Sequence, residues 1–132
     1  MAVTISAALL NRILAQAERS PDSEICGLLW GDGAQITRIE LTRNVAPDPG
    51  TRFEIDPRQL FAAIRAQRVG GERLVGHYHS HPNGSALPSA ADLAASEPGK
   101  LWLIVAGATA RLWLAEPHSF SEVQMIVNQD CA

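Results

Sequence analysis

One short segment near the middle of the chain constrains the fold most, because it combines an apolar strand pattern with closely spaced histidines. The run from Leu74 to His81 opens with apolar residues and contains a tyrosine, and both features favour extended backbone. Pro82 cannot join a central strand ladder, so the strand is expected to end at His81. Alternate strand residues share a face, which places His79 and His81 together with Cα atoms roughly 6.5–7 Å apart.

A helix start follows this strand after a short turn. Ser89 and Asp92 have the spacing of a helix N-cap and the third helical residue, and both can serve that cap. A helix beginning at Ser89 would also bring Asp92 back towards the two histidines. Two histidines and one carboxylate, with a fourth position left to water, form the usual ligand set of a catalytic zinc site. We therefore expect Asp92 to cap the helix and to bind a metal ion.

These residues resemble a known motif. The His-Ser-His-Pro run at residues 79–82, with Ser89 eight and Asp92 eleven residues after the second histidine, is similar to the JAMM motif of the MPN+ (JAB-domain) zinc metalloproteases. The run at residues 24–31 resembles the family's other signature, a glutamate that opens a buried strand. The resemblance extends from the first helix to about Ala115. It implies a single JAMM/MPN+ metalloprotease domain over the chain, of the small standalone bacterial type.

The resemblance also implies roles for individual residues. It implies one Zn²⁺ ion per chain, bound by His79, His81 and Asp92. From the residues alone, Glu24 could equally be a solvated strand-edge residue or a general base, and the resemblance favours the base. In the family, the serine matching Ser89 stabilises the carbonyl oxygen, although a hydroxyl used in a helix cap would not fully satisfy both tasks.

The other histidines and the tryptophans are interpreted as structural. His77 shares the ligand face but lies four residues from His81, roughly 13 Å along a strand, so it is expected to pack beside the site. Many family members carry a tryptophan or an aliphatic residue there. His118 is assigned to a loop. The three tryptophans are assigned to the core, with the cleft as a second possibility for the first of them: Trp30, Trp102 and Trp113.

The remaining pattern predicts an α/β fold in which a mixed β-sheet is sandwiched by helices. Three helices are predicted, at residues 6–19 with Ser6 as cap, 57–69 after the cap Asp56, and 89–96. Strands are predicted at residues 24–30, 34–44, 53–55, 74–81, 101–106, 111–115 and 120–127. Helices on both faces of such a sheet give an α/β sandwich. Zinc nucleoside deaminases of the cytidine-deaminase type share this layering, but the Pro-Cys-x-x-Cys that they require is missing.

Composition limits the partners and the compartment. A net charge of −3 over 132 residues argues against a general nucleic-acid or anionic-membrane binder. The longest apolar run, residues 101–110, has about half the length of a membrane span. Two cysteines, Cys26 and Cys131, do not make a disulfide framework, and this fits a reducing cytoplasm. We expect no membrane or nucleic-acid partner, whereas an oligomer remains possible.

The family resemblance implies a zinc-dependent peptidase or isopeptidase that cuts an amide bond at the C-terminal tail of a ubiquitin-like or sulfur-carrier protein. In one case a small bacterial member frees a C-terminal cysteine adduct. The short loop at residues 83–86 would leave room for a tail to add as a strand beside the metal strand. Two alternatives stay open, namely a non-catalytic MPN scaffold and a RadC-like protein, which carries a similar His-x-His-Pro run.

Overall fold

The computed structural model describes residues 1–129, and this range contains seven strands and three helices. The strands are β1 (Ala2–Ser6), β2 (Cys26–Gly31), β3 (Gln35–Thr42), β4 (Arg73–Ser80), β5 (Leu101–Ala106), β6 (Thr109–Ala115) and β7 (Phe120–Asn128). The helices are α1 (Ala7–Glu18), α2 (Pro57–Arg68) and α3 (Ala90–Ala95). Cys26 is a free, buried thiol, and Cys131 lies outside the described residues.

The strands form one mixed sheet in the order β1-β3-β2-β4-β5-β6-β7, and the sheet closes on itself. Closure comes from parallel pairing of β1 with β7, which runs from Ala2 opposite Gln124 to Ser6 opposite Asn128. The prediction of a mixed sheet with helices is confirmed. The closed sheet was not predicted, because residues 2–6 had been given no strand.

Helices pack on opposite faces of β2. Leu29 belongs to the main core cluster, which contains Ile13 of α1 together with Tyr78 of β4. The neighbouring Leu28 points the other way and packs in a second cluster with Ala63 of α2. Since successive strand residues face opposite sides, α1 and α2 cover the two faces of the sheet at this strand.

Each helix begins at the residue that the sequence predicted. The Ser6 hydroxyl accepts a hydrogen bond from the Leu9 N–H at 3.1 Å at the start of α1. The Asp56 carboxylate caps α2 by accepting from the Arg58 N–H at 3.0 Å. Ser89 caps α3. Across residues 1–129, none of the helices combines the length and apolar content needed to cross a bilayer.

Two smaller predictions were wrong. The brief strand predicted at residues 53–55 is reduced to one isolated bridge between Ile55 and Asn44. A substrate tail also cannot add beside β4, because β4 is paired on both sides. His79 lies opposite Cys26 of antiparallel β2 and next to Ile104 of parallel β5. This central position leaves no free edge on the strand that carries His79.

Close backbone packing between β4 and β5 depends on a glycine. A Cβ atom on Gly76 would lie 2.0 Å from the carbonyl oxygen of Leu101, which is a backbone atom and cannot move aside. We expect Gly76→Ala to lower the free energy of unfolding by about 1–3 kcal/mol or more, as overpacked substitutions do. Urea denaturation measures this loss. Gly33→Ala is the matched control, since its added Cβ meets no atom within 4 Å; equal midpoints for the two variants would contradict the prediction.

Candidate metal centre

Three potential ligand atoms form a compact triangle at the end of β4. His79 Nε2 lies 3.0 Å from His81 Nε2 and 3.2 Å from Asp92 Oδ2, and His81 Nε2 lies 3.1 Å from the same oxygen. All three side chains are buried. Metal–ligand bonds of about 2.0–2.1 Å in a tetrahedron place ligand atoms about 3.3–3.4 Å apart. The triangle thus has nearly the size of one face of a tetrahedral zinc site, and the donor atoms fit that ion.

A helix cap fixes the carboxylate of this triangle. Ser89 Oγ accepts a hydrogen bond from the Asp92 N–H at 3.0 Å, and the Ser89 N–H donates to Asp92 Oδ2 at 2.9 Å. This is a capping box, so the predicted capping role is confirmed. Asp92 Oδ2, which accepts the hydrogen bond from the Ser89 N–H, is also the oxygen that faces the two imidazoles. Burial alone would raise the pKa of Asp92, but hydrogen bonds with His79 and His81 outweigh it and lower that pKa well below its usual range.

A backbone carbonyl orients the imidazole of His81. His81 Nδ1 lies 2.6 Å from the carbonyl oxygen of Ser85, and a carbonyl only accepts, so Nδ1 carries the hydrogen. In the neutral ring the lone pair is then on Nε2, which points into the triangle. Such an outer partner is the usual way of orienting a metal-binding histidine. Burial lowers the pKa of His81, but the bonds with Asp92 and Ser85 raise it more, so the net shift is upward.

His79 is held by packing. Its ring is fully buried and stacks on Phe53 with ring centroids 4.3 Å apart. Burial lowers the pKa of His79 more than the bond with Asp92 raises it, which favours the neutral ring that a metal ion needs. His79 Nδ1 is buried and finds no hydrogen-bond partner within residues 1–129.

The backbone around Glu24 is anchored by three hydrogen bonds. The Glu24 N–H donates to the Pro49 carbonyl at 2.7 Å, and the Asn44 side-chain amide donates to the Glu24 carbonyl at 2.9 Å. The next N–H, that of Ile25, donates to Ser80 Oγ at 2.9 Å. These contacts fix the start of β2 beside the end of β4. A carboxylate oxygen of Glu24 and one nitrogen each of His79 and His81 lie within 4.8 Å of one another.

The Glu24 carboxyl is poised to exchange a proton near neutrality. Burial raises its pKa to about 7, with His81 opposing the rise and Asp92 adding to it. Glu24 Oε1 is buried without a hydrogen-bond partner among the described residues. A buried acceptor of this kind needs a polar partner, and a water molecule between the carboxyl and the triangle would supply one.

The raised pKa predicts a pH-dependent stability for the metal-free protein. The folded pKa of Glu24, about 7, exceeds its ordinary value of 4.5. The contribution of this carboxyl to the free energy of unfolding is therefore fully present below pH 4.5, and it is lost as the pH rises to about 7. The shift corresponds to at most about 3 kcal/mol. Glu24→Gln should remove this part of the pH dependence. Chemical denaturation of chelator-treated wild type and variant between pH 4.5 and 7.5 measures the difference; parallel curves would contradict the assignment.

The remaining histidines and Trp113 do not belong to the triangle of ligand atoms. His77 packs edge-on against Trp102 with ring centroids 4.3 Å apart, and burial lowers its pKa to about 3, with His79 lowering it further. Trp113 is half-buried, and its ring N–H donates to the Ala86 carbonyl. His118 lies in the exposed loop between β6 and β7, as predicted. The interpretation of His77 as a packing residue agrees with these contacts.

Sequence reasoning missed three residues that build the centre: Phe53, Asn44 and Ser85. All three residues lie in loops or in an isolated bridge, where the sequence has no helical or strand periodicity that could identify them. Phe53 contacts His79 by its ring, and Ser85 uses only its backbone carbonyl. A backbone acceptor leaves no trace in side-chain chemistry, so the sequence offered no signal for it.

Comparison with known proteins yields one family and several relatives. The model of the prokaryotic homologs of the JAB domain matches residues 6–117. The desampylase of Haloferax volcanii is 34% identical over 125 residues, which cover 90% of this chain and 88% of that protein. The CysO-cysteine peptidase of Mycobacterium tuberculosis is 30% identical over 105 residues, covering 78% and 72%. A solution structure from Desulfitobacterium hafniense superposes with a TM-score of 0.84 at 29% identity, covering 98% of this chain and 94% of that one.

Proposed function

Because this chain belongs to the prokaryotic JAB-domain family and is a JAMM-type hydrolase, we propose that it cleaves an amide bond at the C-terminal tail of a ubiquitin-like or sulfur-carrier protein. The observation that carries the proposal is the buried triangle of two imidazole nitrogens and a carboxylate oxygen, faced by the carboxyl of Glu24. The names of the relatives, a desampylase and a CysO-cysteine peptidase, support the substrate class.

The metal ion in this proposal is Zn²⁺, held by His79, His81 and Asp92. Two imidazoles and one carboxylate suit zinc, and the ligand spacing suits its tetrahedral geometry. When bound, the ion supplies Lewis acidity that polarises the carbonyl and makes a water molecule acidic enough to react at neutral pH.

Glu24 moves the proton. As a carboxylate it accepts a proton from the water that attacks the carbonyl carbon, and as an acid it then donates that proton to the amide nitrogen. The C–N bond breaks and Glu24 is again ionised; the tail leaves as a carboxylic acid, whose remaining proton passes to the amine or to solvent. Burial raises the pKa of Glu24 to about 7 in the metal-free protein, which favours the protonated form that the second transfer requires.

Ser89 can stabilise the carbonyl oxygen without leaving its helix cap. In the capping box Ser89 Oγ acts as an acceptor and uses one lone pair, so the hydroxyl hydrogen remains available. In this proposal the same hydroxyl serves both the cap, as an acceptor, and the carbonyl oxygen, as a donor. Removing a donor of this kind costs about 2.7–4 kcal/mol of transition-state stabilisation in enzymes that depend on it.

A groove beside β4, largely apolar but also lined by Glu54, Glu97 and Lys100, suits an extended tail. This tail groove, of about 340 Å³, is lined by residues that include Phe53, Leu60, Leu74, His77 and Trp102. It follows β4 on the α2 face towards His79, whose ring contacts Phe53. Because β4 has no free edge, the tail would be held by side chains and by the 53–55 segment rather than by pairing with β4.

Mass spectrometry tests the proposal. Candidate ubiquitin-like and sulfur-carrier proteins that bear a short C-terminal extension are mixed with the zinc-loaded protein. We expect one carrier to lose its extension, with the new carboxylate at its natural C-terminus, and chelator to abolish the reaction. Every carrier staying intact with zinc-loaded wild type would count against the proposal.

A further inference from the structure

The solvent face of α2 combines positive charge with an exposed aromatic ring. Arg58, Phe61, Arg65 and Arg68 are all exposed, and residues three or four positions apart lie on one side of a helix, so they form one stripe. These four residues are called the α2 stripe below. The Phe61 side chain is 66% exposed, whereas every other Phe, Tyr and Trp of residues 1–129 is buried or half-buried.

The arginines of the α2 stripe have no acidic partner. None of the three forms an ion pair within residues 1–129, and α2 contains no aspartate or glutamate. The chain as a whole has a net charge of −3, so this positive face is a local feature. Protein interfaces are enriched in arginine and aromatic residues and depleted in lysine and glutamate. The stripe therefore has the composition of an interface for an acidic partner.

α2 runs beside the tail groove from its metal end to its outer end. Phe53, which precedes the helix, lines the groove and stacks on His79, and Leu60 of the helix also lines it. Near the end of α2, Gln67 Oε1 accepts a hydrogen bond from the N–H of Leu74, another lining residue, at 2.8 Å. Leu74 precedes His79 by roughly 16 Å along a strand. The last turn of α2 thus lies at the outer end of the groove.

Part of the α2 stripe faces the groove side of the helix. Gln59 marks the opposite flank, because its Oε1 accepts a hydrogen bond from the N–H of Arg43, next to the end of β3, at 2.7 Å. At about 100° per residue, Phe61 and Arg68 lie about 160° and 180° around the helix from Gln59. The helix packs over β2, which lies between β3 and β4, so these two residues are turned towards β4 and the groove.

The outer end of the groove is where the folded part of a carrier protein has to lie. When the cleaved bond is at the metal centre and the tail fills the groove, as proposed above, the chain emerges beside Leu74 and the last turn of α2. The folded part precedes the tail, so it lies next to Arg65 and Arg68.

We propose that the α2 stripe docks the folded part of the carrier protein, through an acidic surface on the carrier that also gives Phe61 an apolar contact. This inference rests on the proposed function. It adds a second determinant of specificity, because the groove selects the tail and the stripe selects the carrier. Opposite charges on the two faces also speed their encounter.

Two substrates with the same tail test the proposal. One is a full-length carrier with a C-terminal extension, and the other is a peptide of that tail with the same extension. In the zinc-loaded protein with Arg65→Glu and Arg68→Glu, the carrier-to-peptide ratio of kcat/KM should fall about tenfold, because like charges then face each other. Phe61→Ala should lower the ratio about fivefold. Added salt should lower the wild-type ratio and should leave the effect of Phe61→Ala in place.

Arg12→Glu with Arg19→Glu is the matched control. Both arginines are exposed, one on α1 and one at its end, and α1 covers the opposite face of the sheet. The net charge changes by the same amount, so the control should keep the wild-type ratio and its salt dependence. A ratio that neither stripe variant lowers, or that the control lowers as much, would overturn the proposal.

A binding measurement separates failure of docking from failure of the proposed function. If the wild type cleaves no carrier, the proposed function fails, and the candidate carriers are then titrated into the ¹⁵N-labelled protein. Docking predicts shifts in the amide signals of residues 58–68 that Arg65→Glu with Arg68→Glu abolishes. No such shifts with any carrier would overturn the proposal. Equal shifts with a DNA duplex, or shifts that follow protein concentration alone, would also overturn it, because the partner would then be a nucleic acid or a second copy.

Discussion

Glu24→Gln is expected to lower kcat by about 10²–10⁴-fold while the protein still binds one zinc ion per chain. The amide keeps the size of the side chain but cannot accept the proton from water or pass it to the leaving amine. Turnover of a cleavable carrier tail, together with elemental analysis of the purified variant, measures both quantities. Glu122→Gln is the control, because Glu122 is exposed on β7, where it pairs with Arg111 at 3.2 Å.

The zinc content of Glu24→Gln distinguishes two roles for this carboxyl. Glu24 groups with His79 and His81 within 4.8 Å, so its position alone would also allow metal binding. A variant that retains zinc and loses turnover supports the proton-transfer role. Loss of zinc would make Glu24 a ligand, and near-normal turnover would place the base elsewhere.

Asp92→Ala is expected to abolish both zinc retention and turnover. The change removes the oxygen that completes the triangle with His79 and His81, and two imidazoles alone hold zinc weakly. It also removes half of the capping box of α3. Zinc content after gel filtration, compared with wild type, measures the first effect.

Ser89→Ala separates the loss of the cap from the loss of the ligand. This variant removes the hydroxyl that caps α3 but keeps the Asp92 carboxylate, so zinc should remain bound at one ion per chain. Its cost in stability should be about 1 kcal/mol, as for other lost N-caps. If Ser89→Ala lost zinc as completely as Asp92→Ala, the effect of Asp92 would be explained by folding of α3 rather than by coordination.

Local patterns in the sequence predicted most elements and the convergence of the central side chains. The alternation of side chains along a strand predicted that His79 and His81 share a face. The spacing of Ser89 and Asp92 predicted a helix start that brings Asp92 near them, and the three side chains lie together in the structure. Such predictions succeed because strand parity and helix caps are set by residues within a few positions of one another.

These local patterns did not predict which strands pair when the strands lie far apart along the chain. β1 has only five residues and runs directly into α1 at Ser6, so its apolar residues Val3 and Ile5 blend into the helical pattern. Its partner β7 lies at the far end of the described chain. The stacking of Phe53 on His79 likewise joins a loop to a strand, and only the folded arrangement brings them into contact.

The pairing of β1 with β7 also affects how the protein can be made. Ala2 pairs with Gln124 and Ser6 with Asn128, so β1 cannot complete its pairing until β7 has been synthesised. Until then Val3 and Ile5, both fully buried in the finished fold, lack their β7 neighbours. Contacts so distant along a chain form slowly. β1 can pair with β3 sooner, because β3 lies much closer to it along the chain, so the contact between β1 and β7 that closes the sheet is expected to form late in folding.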